Sequence, residues 1–143
     1  MGRRQARQTA LQVLFQVDVA KTSLEEAFQA SLSLSRLPPA DEEFARTLAG
    51  GVMAHRDRLD AIISRVSHDW RLERMGYVDR NILRIGLYEM IVDGRVPSSV
   101  AINEAVELAK VFGGEDSWRF VNGILGEVAR NQSKYTRQVT GRT

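Results

Sequence analysis

The residues best suited to chemistry in this chain lie close to its N-terminus. They follow one another at steps of three or four residues, which places them in one stripe of a helix beside its buried face: Arg4, Arg7, Leu11 and Phe15. Gln8 and Gln12 flank this stripe. Arginine binds phosphate through a bidentate fork, an exposed aromatic ring stacks on an unpaired base, and an amide hydrogen-bonds to base edges. The stripe therefore favours single-stranded RNA recognition, and a Phe15 that completes the core beside solvated arginines stays open as the alternative.

Patterns typical of catalysis or metal binding are weak. His55 and His68 are the two histidines, and neither belongs to an HxxxH or HExxH spacing, so we expect surface or packing roles. The chain has no cysteine, and its paired glycines at 50–51 and 113–114 lack the ending of a phosphate loop. Solvated helix faces explain the carboxylate pairs at helical spacing: Asp57 with Asp60, Glu42 with Glu43, and Glu104 with Glu107. We therefore predict no catalytic residue, no metal and no cofactor, and a protein that is not an enzyme.

Basic residues are concentrated at both ends of the chain. Residues 1–21 and 130–143 together hold eight of the 20 basic residues and one of the 18 acidic residues, which leaves a net charge of −5 between them. Such asymmetry is typical of a polyanion-binding arm. For residues 131–143 we expect a frayed, solubilising basic tail, because SKYTRQVTGRT has no apolar periodicity. No apolar window approaches a membrane span or a signal peptide, so we expect a cytoplasmic protein without a membrane partner.

The elements that position these residues are predicted to be helices, because no window shows sustained strand alternation. We predict an all-α, compact seven-helix bundle of two packed helical halves, forming one domain over residues 1–143. Pro38-Pro39 ends the second helix and divides the halves. The predicted positions are Arg3–Ala20, Ser23–Leu34, a third helix after Asp41, a fourth bearing Leu59 to Val66, a fifth capped near Asp79 after a loop at 68–76, and two more over Val96–Leu125. Whether the third and fourth helices are continuous through Gly50-Gly51 and His55 is left open.

In the last two predicted helices, the identities of the residues are more distinctive than their apolar periodicity. The stretch VPSSVAINEAVELAKVFGGEDSWRFVNGIL, at 96–125, places polar residues that packing does not dictate between its apolar ones. Together with VDRNILRIGLYEM at 78–90, LAGGVMAHRDRLD at 48–60 and the arginine-led first helix, it resembles the NusB family of bacterial transcription antitermination factors. The similarity covers nearly the whole chain, in the order that the family has.

The resemblance implies a factor that binds boxA-type single-stranded RNA in ribosomal RNA transcription. In the first helix it implicates Arg3, Arg4, Arg7 and Gln12, with Phe15 beside them. The family's second RNA-proximal region is the turn into the last helix, which corresponds here to Asp116, Arg119 and Phe120. Asp116 is an acid at an RNA surface, so we expect it to act as an N-cap and expect its removal to tighten RNA binding.

The resemblance also implies binding to NusE, the small-subunit ribosomal protein that acts in antitermination, and indirect contact with other Nus factors and RNA polymerase. The residues implicated are Phe15, Val19, Asp79, Arg80 and Arg84. Two of them have competing structural roles: Asp79 as a helix cap, and Arg84 as an ion-pair partner of Glu89 or Asp18.

Departures from the family pattern leave alternatives open. The basic run RRQAR is broken, which predicts modest affinity for RNA alone, and Trp118 stands where a smaller or polar residue is expected. A homodimer that uses the first helix for self-association is one alternative. Another is a stand-alone relative of the RNA-binding domain that precedes some ribosomal RNA methyltransferases, since this sequence contains no glycine-rich cofactor loop and no cysteine nucleophile.

Overall fold

The computed structural model describes residues 2–68 and 74–140, and this part of the chain is almost entirely helical. The helices are α1 (Gly2–Ala20), α2 (Leu24–Leu34), α3 (Pro39–Ala54), α4 (Arg56–Val66), α5 (Tyr77–Leu87), α6 (Ser98–Phe112), α7 (Ser117–Arg130) and α8 (Gln132–Thr140), with a π-helical segment at Tyr88–Asp93 that continues α5. The prediction of an all-α fold is confirmed, with eight α-helices over the described ranges where we predicted seven. None of the helices described is long and apolar enough to cross a membrane.

Backbone packing divides the chain into two compact units, Met1–Ala54 and His55–Thr143. The division falls between α3 and α4, so the expected division at Pro38-Pro39 is wrong. Pro39 is instead the first residue of α3, three residues before the predicted start, because its fixed φ and missing N–H suit the first helical position. The helix then runs through Gly50-Gly51 and ends at Ala54, which settles the question of continuity: α3 and α4 are separate helices, divided at His55.

In the N-terminal unit, α1 packs against α2 and α3. Small side chains at the interface, including Ala6 and Ala10 of α1 and Ala45 and Ala49 of α3, are fully buried and permit close approach of the helices. The predicted capping box at the start of α2 is confirmed: the Glu26 amide donates to Ser23 Oγ at 3.1 Å, and the Ser23 amide donates to Glu26 Oε1 at 3.2 Å.

In the C-terminal unit, α5 is central and packs against α6 and α7. Its residues from Asn81 to Leu87 are all buried. Gly86 is required for this packing, because a Cβ there would lie 2.6 Å from Leu125 Cδ1 of α7 and 3.4 Å from Ala105 Cβ of α6. The π-helical segment ends at Gly94, whose φ of 69° lies in the left-handed region that glycine adopts without strain.

The C-terminal segment differs from the frayed tail that we expected over 131–143. Residues 132–140 form α8, which packs against α4, α7 and the π-helical segment. Tyr135 and Val139, four residues apart, are buried at 5% and 1% exposure. Two apolar residues are too few to be recognised as a helical repeat in the sequence. In the structure, however, this buried pair packs the two turns of α8 against the neighbouring helices. Residues 141–143 lie outside the described part, as do residues 69–73 of the predicted loop.

Candidate nucleic-acid interface

The first surface of interest lies in the N-terminal unit, where α1 begins. The Arg3 guanidinium lies 4.3 Å from the centre of the Phe44 ring of α3, and the Arg7 guanidinium lies 5.2 Å from it. Arg3 Nη1 also donates to the Ala40 carbonyl at 3.4 Å. A ring face attracts cations, so Phe44 holds two like charges close together in a helix terminus where the dipole disfavours them. Sequence reasoning missed this role of Phe44, which lies 37 residues from Arg7.

The exposed stripe of α1 is displaced from the predicted one. Arg7 and Leu11 are buried, at 6% and 2% exposure, so the prediction that they belong to a surface stripe is wrong. The Arg7 guanidinium lies over Phe44 of α3, a contact that the spacing within α1 does not reveal. The residues that remain at the surface follow at steps of three or four, with Gln8 half-buried and the others exposed: Arg4, Gln8, Gln12, Phe15 and Val19. We call this set the α1 stripe.

The α1 stripe changes character along its length. Arg4, Gln8 and Gln12 offer a cation and two amides, and Phe15 and Val19 offer apolar surface at 36% and 43% exposure. The alternative that Phe15 completes the core is therefore wrong. The stripe can bind a polar, anionic ligand at one end and an apolar one at the other.

The second surface of interest lies in the C-terminal unit, where α5 and α7 begin. A cleft of about 400 Å³ opens there, and we call it the α5–α7 cleft; its lining residues are Arg74, Met75, Gly76, Asp79, Asp116, Ser117 and Phe120. A second cleft of about 360 Å³, the α4–α7 cleft, is lined by residues that include His68, Arg119 and Phe120. The half-buried Phe120 lines both clefts, so ligand space is available on more than one side of this residue.

The turn into α7 is held by Ser117 rather than by Asp116. Ser117 Oγ accepts a hydrogen bond from the Gly114 amide at 2.9 Å, and a Cβ on Gly113 would lie 2.5 Å from Ser117 Cβ. Asp116 occupies the predicted N-cap position, but its side chain makes no capping hydrogen bond, so that part of the prediction is wrong. Its exposed carboxylate lies 3.9 Å from Arg119 Nη1. Asp116 is thus a solvated negative charge at the rim of the α5–α7 cleft.

The start of α5 presents an exposed aromatic ring and a cation. Tyr77 is 42% exposed, and the Arg80 guanidinium lies 4.4 Å from the centre of its ring. Asp79 was predicted as the helix cap, and this is wrong: Gly76 is the N-cap residue, without a side-chain capping bond. Asp79 is the third residue of the helix, where its charge favours the helix dipole, and it lines the α5–α7 cleft.

Arg84 lies in the interior of the C-terminal unit. Its Nε donates to Asp60 Oδ1 at 2.7 Å, its Nη2 donates to Asp60 Oδ2 at 2.9 Å, and its Nη1 donates to Asn81 Oδ1 at 3.0 Å. The sequence reasoning named Glu89 or Asp18 as partners and missed Asp60, which is 24 residues away on α4. With its side chain 6% exposed, Arg84 joins α4 to α5 and presents no free face to a partner.

Within residues 2–68 and 74–140 the histidines and carboxylates form no convergent cluster. The His55 ring lies 5.9 Å from that of Tyr88, and burial, followed by the charge of Asp93, raises the pKa of the Tyr88 phenol, which stays neutral in this packed position. His68 is exposed with a left-handed φ of 55°. Among the described residues no three metal-ligating side chains come together.

The comparisons with known proteins agree with this architecture. The NusB family model matches residues 4–130. The chain belongs to the NusB family. The transcription antitermination protein NusB of Desulforudis audaxviator is 56% identical over 135 residues, which cover 94% of this chain and 98% of that protein. The resemblance drawn from the residues is thereby confirmed.

Solved structures of the NusB family share the fold. T. maritima NusB aligns with a TM-score of 0.82 at 36% identity, over 90% of each chain. A chain in a crystal structure of the antitermination factors NusB and NusE in complex with dsRNA aligns with a TM-score of 0.84 at 28% identity, over 91% of this chain and 97% of that one.

Proposed function

We propose that this chain is a transcription antitermination factor that binds boxA-type single-stranded RNA together with NusE in ribosomal RNA transcription. The observation that carries the RNA-binding part is the position of Phe120, whose ring lines two clefts beside Arg119. Stacking of a base on an aromatic ring next to a cation is the usual chemistry of single-stranded RNA recognition. The similar chain in a crystal structure of NusB and NusE in complex with dsRNA supports RNA and NusE as the partners.

The proposed RNA contacts divide into attraction and base selection. Arg3, Arg4 and Arg119 attract phosphate whatever the sequence, whereas Gln12 and Phe120 contact bases. Phe15, at the apolar end of the α1 stripe, lies on the border between RNA and partner. Arg7, 6% exposed with its guanidinium over Phe44, is less accessible to phosphate than Arg3 and Arg4.

The proposed NusE contacts are apolar in the N-terminal unit and polar in the C-terminal unit. Phe15 and Val19 supply exposed apolar surface on α1, and Asp79 and Arg80 supply charge at the start of α5. We leave Arg84 out, because its guanidinium is buried against Asp60. Two modest interactions, with RNA and with NusE, then reinforce each other by roughly a hundredfold or more, the usual scale of linked binding.

The complex would reach the other Nus factors and RNA polymerase indirectly, in the cytoplasm, and the chain itself would catalyse no reaction. The test is transcription through a terminator preceded by boxA, reconstituted with NusE and the remaining Nus factors. Adding this chain should raise read-through on the boxA template and leave a scrambled-boxA template unchanged. Equal read-through on both templates would contradict the proposal.

A second candidate function, self-association through α1, is favoured by the exposed Phe15 and Val19. It differs in one measurable respect, because a dimer that hides the α1 stripe should dissociate as RNA or NusE binds. Sizing by light scattering with and without boxA RNA distinguishes the two. A monomer at all concentrations leaves the antitermination factor as the single proposal.

A further inference from the structure

Two cations of the C-terminal unit share the ring of Trp118. The Lys110 Nζ, in the last turn of α6, lies 5.7 Å from the ring centre, and the Arg119 guanidinium, in the first turn of α7, lies 5.2 Å from it. Like charges repel, and the negative ring face offsets that repulsion. The indole therefore brings an ammonium of α6 and a guanidinium of α7 to one ring.

Both cations have carboxylates nearby that hold them weakly. Lys110 Nζ lies 3.6 Å from Glu107 Oε2, and Arg119 Nη1 lies 3.9 Å from Asp116 Oδ1. All four side chains are well exposed, at 52%, 41%, 72% and 82% in that order. Exposed pairs of this length contribute little, so a phosphate can replace the carboxylates at small cost.

We infer that Lys110, Trp118 and Arg119 form a phosphate-binding element for the RNA backbone, adjoining the base-contacting ring of Phe120. Arg119 links the two parts, because it stacks on Trp118 and also lines the α4–α7 cleft beside Phe120. The proposal rests on the proposed RNA-binding function and extends its surface from the start of α7 to the end of α6. Trp118 is a positioning residue here, since it holds the two cations and makes no hydrogen bond to phosphate itself.

Salt dependence of RNA binding tests the element directly. For single-stranded RNA, each phosphate neutralised contributes about 0.7 to the slope of log affinity against log salt. Lys110→Gln should lower that slope by about 0.7 and weaken binding of a boxA oligonucleotide roughly three- to tenfold at moderate salt. Lys134→Gln is the matched control, because Lys134 also lies over an aromatic ring, that of Tyr135 at 5.5 Å in α8, and its loss should leave the slope unchanged.

Trp118 variants separate positioning from charge. Trp118→Ala removes no charge, yet it should weaken RNA binding and lower the slope, whereas Trp118→Phe should restore most of the affinity because it keeps a ring face. Circular dichroism identifies any variant that fails to fold, and Lys110→Gln keeps the test decisive in that event. In a Trp70→Phe background Trp118 is the remaining tryptophan, and its emission should change on RNA binding.

The outcomes distinguish this inference from the proposed function. If the wild-type chain binds boxA RNA while Lys110→Gln and Trp118→Ala keep its slope and affinity, the phosphate-binding element is refuted and the proposed function stands. If the wild-type chain does not bind boxA RNA, with or without NusE, the proposed function fails. If the variants lose NusE affinity and keep RNA affinity, the surface is a protein contact and the inference is overturned.

Discussion

Both units place two cations on one aromatic ring, and they differ in what lies beside that ring. In the N-terminal unit, Phe44 carries Arg3 and Arg7 on one ring. In the C-terminal unit, Trp118 carries Lys110 and Arg119, and the neighbouring Phe120 keeps its ring for two clefts. The first arrangement offers charge without a stacking ring beside it, and the second offers both. We therefore propose that the N-terminal unit mainly attracts RNA, with Gln12 as its one proposed base contact, and that the C-terminal unit contributes most of the discrimination among bases.

Among the arginines of the two units, Arg84, buried against Asp60, gives the largest expected effect. Arg84→Ala leaves Asp60 without its partner, and breaking a buried pair in this way costs about 3–5 kcal/mol of unfolding free energy. Urea denaturation monitored by circular dichroism measures the loss.

Arg95→Ala is the matched control for Arg84. Both arginines place Nε 2.7 Å from an aspartate Oδ1, but the Arg95 side chain is 75% exposed and the Arg84 side chain is 6% exposed. We expect little or no loss of stability at Arg95, because exposed ion pairs contribute little. Equal losses of unfolding free energy at the two positions would refute the structural role of Arg84. Arg84 would then again be a candidate NusE contact.

Phe120→Ala should break base discrimination in the C-terminal unit. Loss of one stacked base costs about 1–3 kcal/mol, roughly 5- to 150-fold in affinity, and the loss should fall on boxA RNA more than on a scrambled control. Fluorescence anisotropy with both oligonucleotides measures it. Phe44→Leu is the informative contrast, because it should weaken both RNAs alike by releasing Arg3. The same loss of selectivity in Phe44→Leu would erase the difference between the units.

Arg4→Gln should weaken RNA binding without changing sequence preference. Arg4 is exposed in the α1 stripe, and losing one phosphate contact should lower the salt slope by about 0.7 for any RNA sequence. Arg36→Gln, an exposed arginine of the same unit on the side of α2, serves as the control. A change in boxA preference in Arg4→Gln would assign base reading to the N-terminal unit as well.

Asp116→Asn should have the smallest effect, and in the opposite direction. The substitution removes an exposed negative charge at the rim of the α5–α7 cleft. The stability of the fold should change little, because the Asp116 side chain makes no capping hydrogen bond. We expect RNA affinity to rise about two- to fivefold at low salt and the gain to shrink as salt is added, because exposed charges are screened. Unchanged affinity at low salt would place RNA away from this rim.

The elements were largely predictable from the sequence because their signals are local. Apolar periodicity predicted α1, the Ser23–Glu26 capping box predicted the start of α2, and the Gly113-Gly114 break predicted the division of α6 from α7. The missed helix, α8, depends on Tyr135 and Val139 packing against other helices. Two apolar residues predict a helix only when the helices against which they pack are already known.

The candidate site was less predictable, because its geometry depends on residues distant in sequence. The spacing within α1 gave the correct residue types but the wrong stripe, since Arg7 and Leu11 are buried, Arg7 over Phe44 of α3. The contacts of Arg7 with Phe44 and of Arg84 with Asp60 span 37 and 24 residues. Resemblance to a family named Arg119 and Phe120, whereas their clefts became visible only in the structure.

The most direct test of the account is fluorescence anisotropy of a boxA RNA against a scrambled control, with and without NusE, at two salt concentrations. With about four phosphates bound, a fourfold rise in salt should weaken binding roughly 50-fold. We predict selective, salt-sensitive binding that NusE strengthens, that loses selectivity in Phe120→Ala and that weakens uniformly in Arg4→Gln. Equal affinity for the two RNAs, or no binding of either in the presence of NusE, would contradict the central claim.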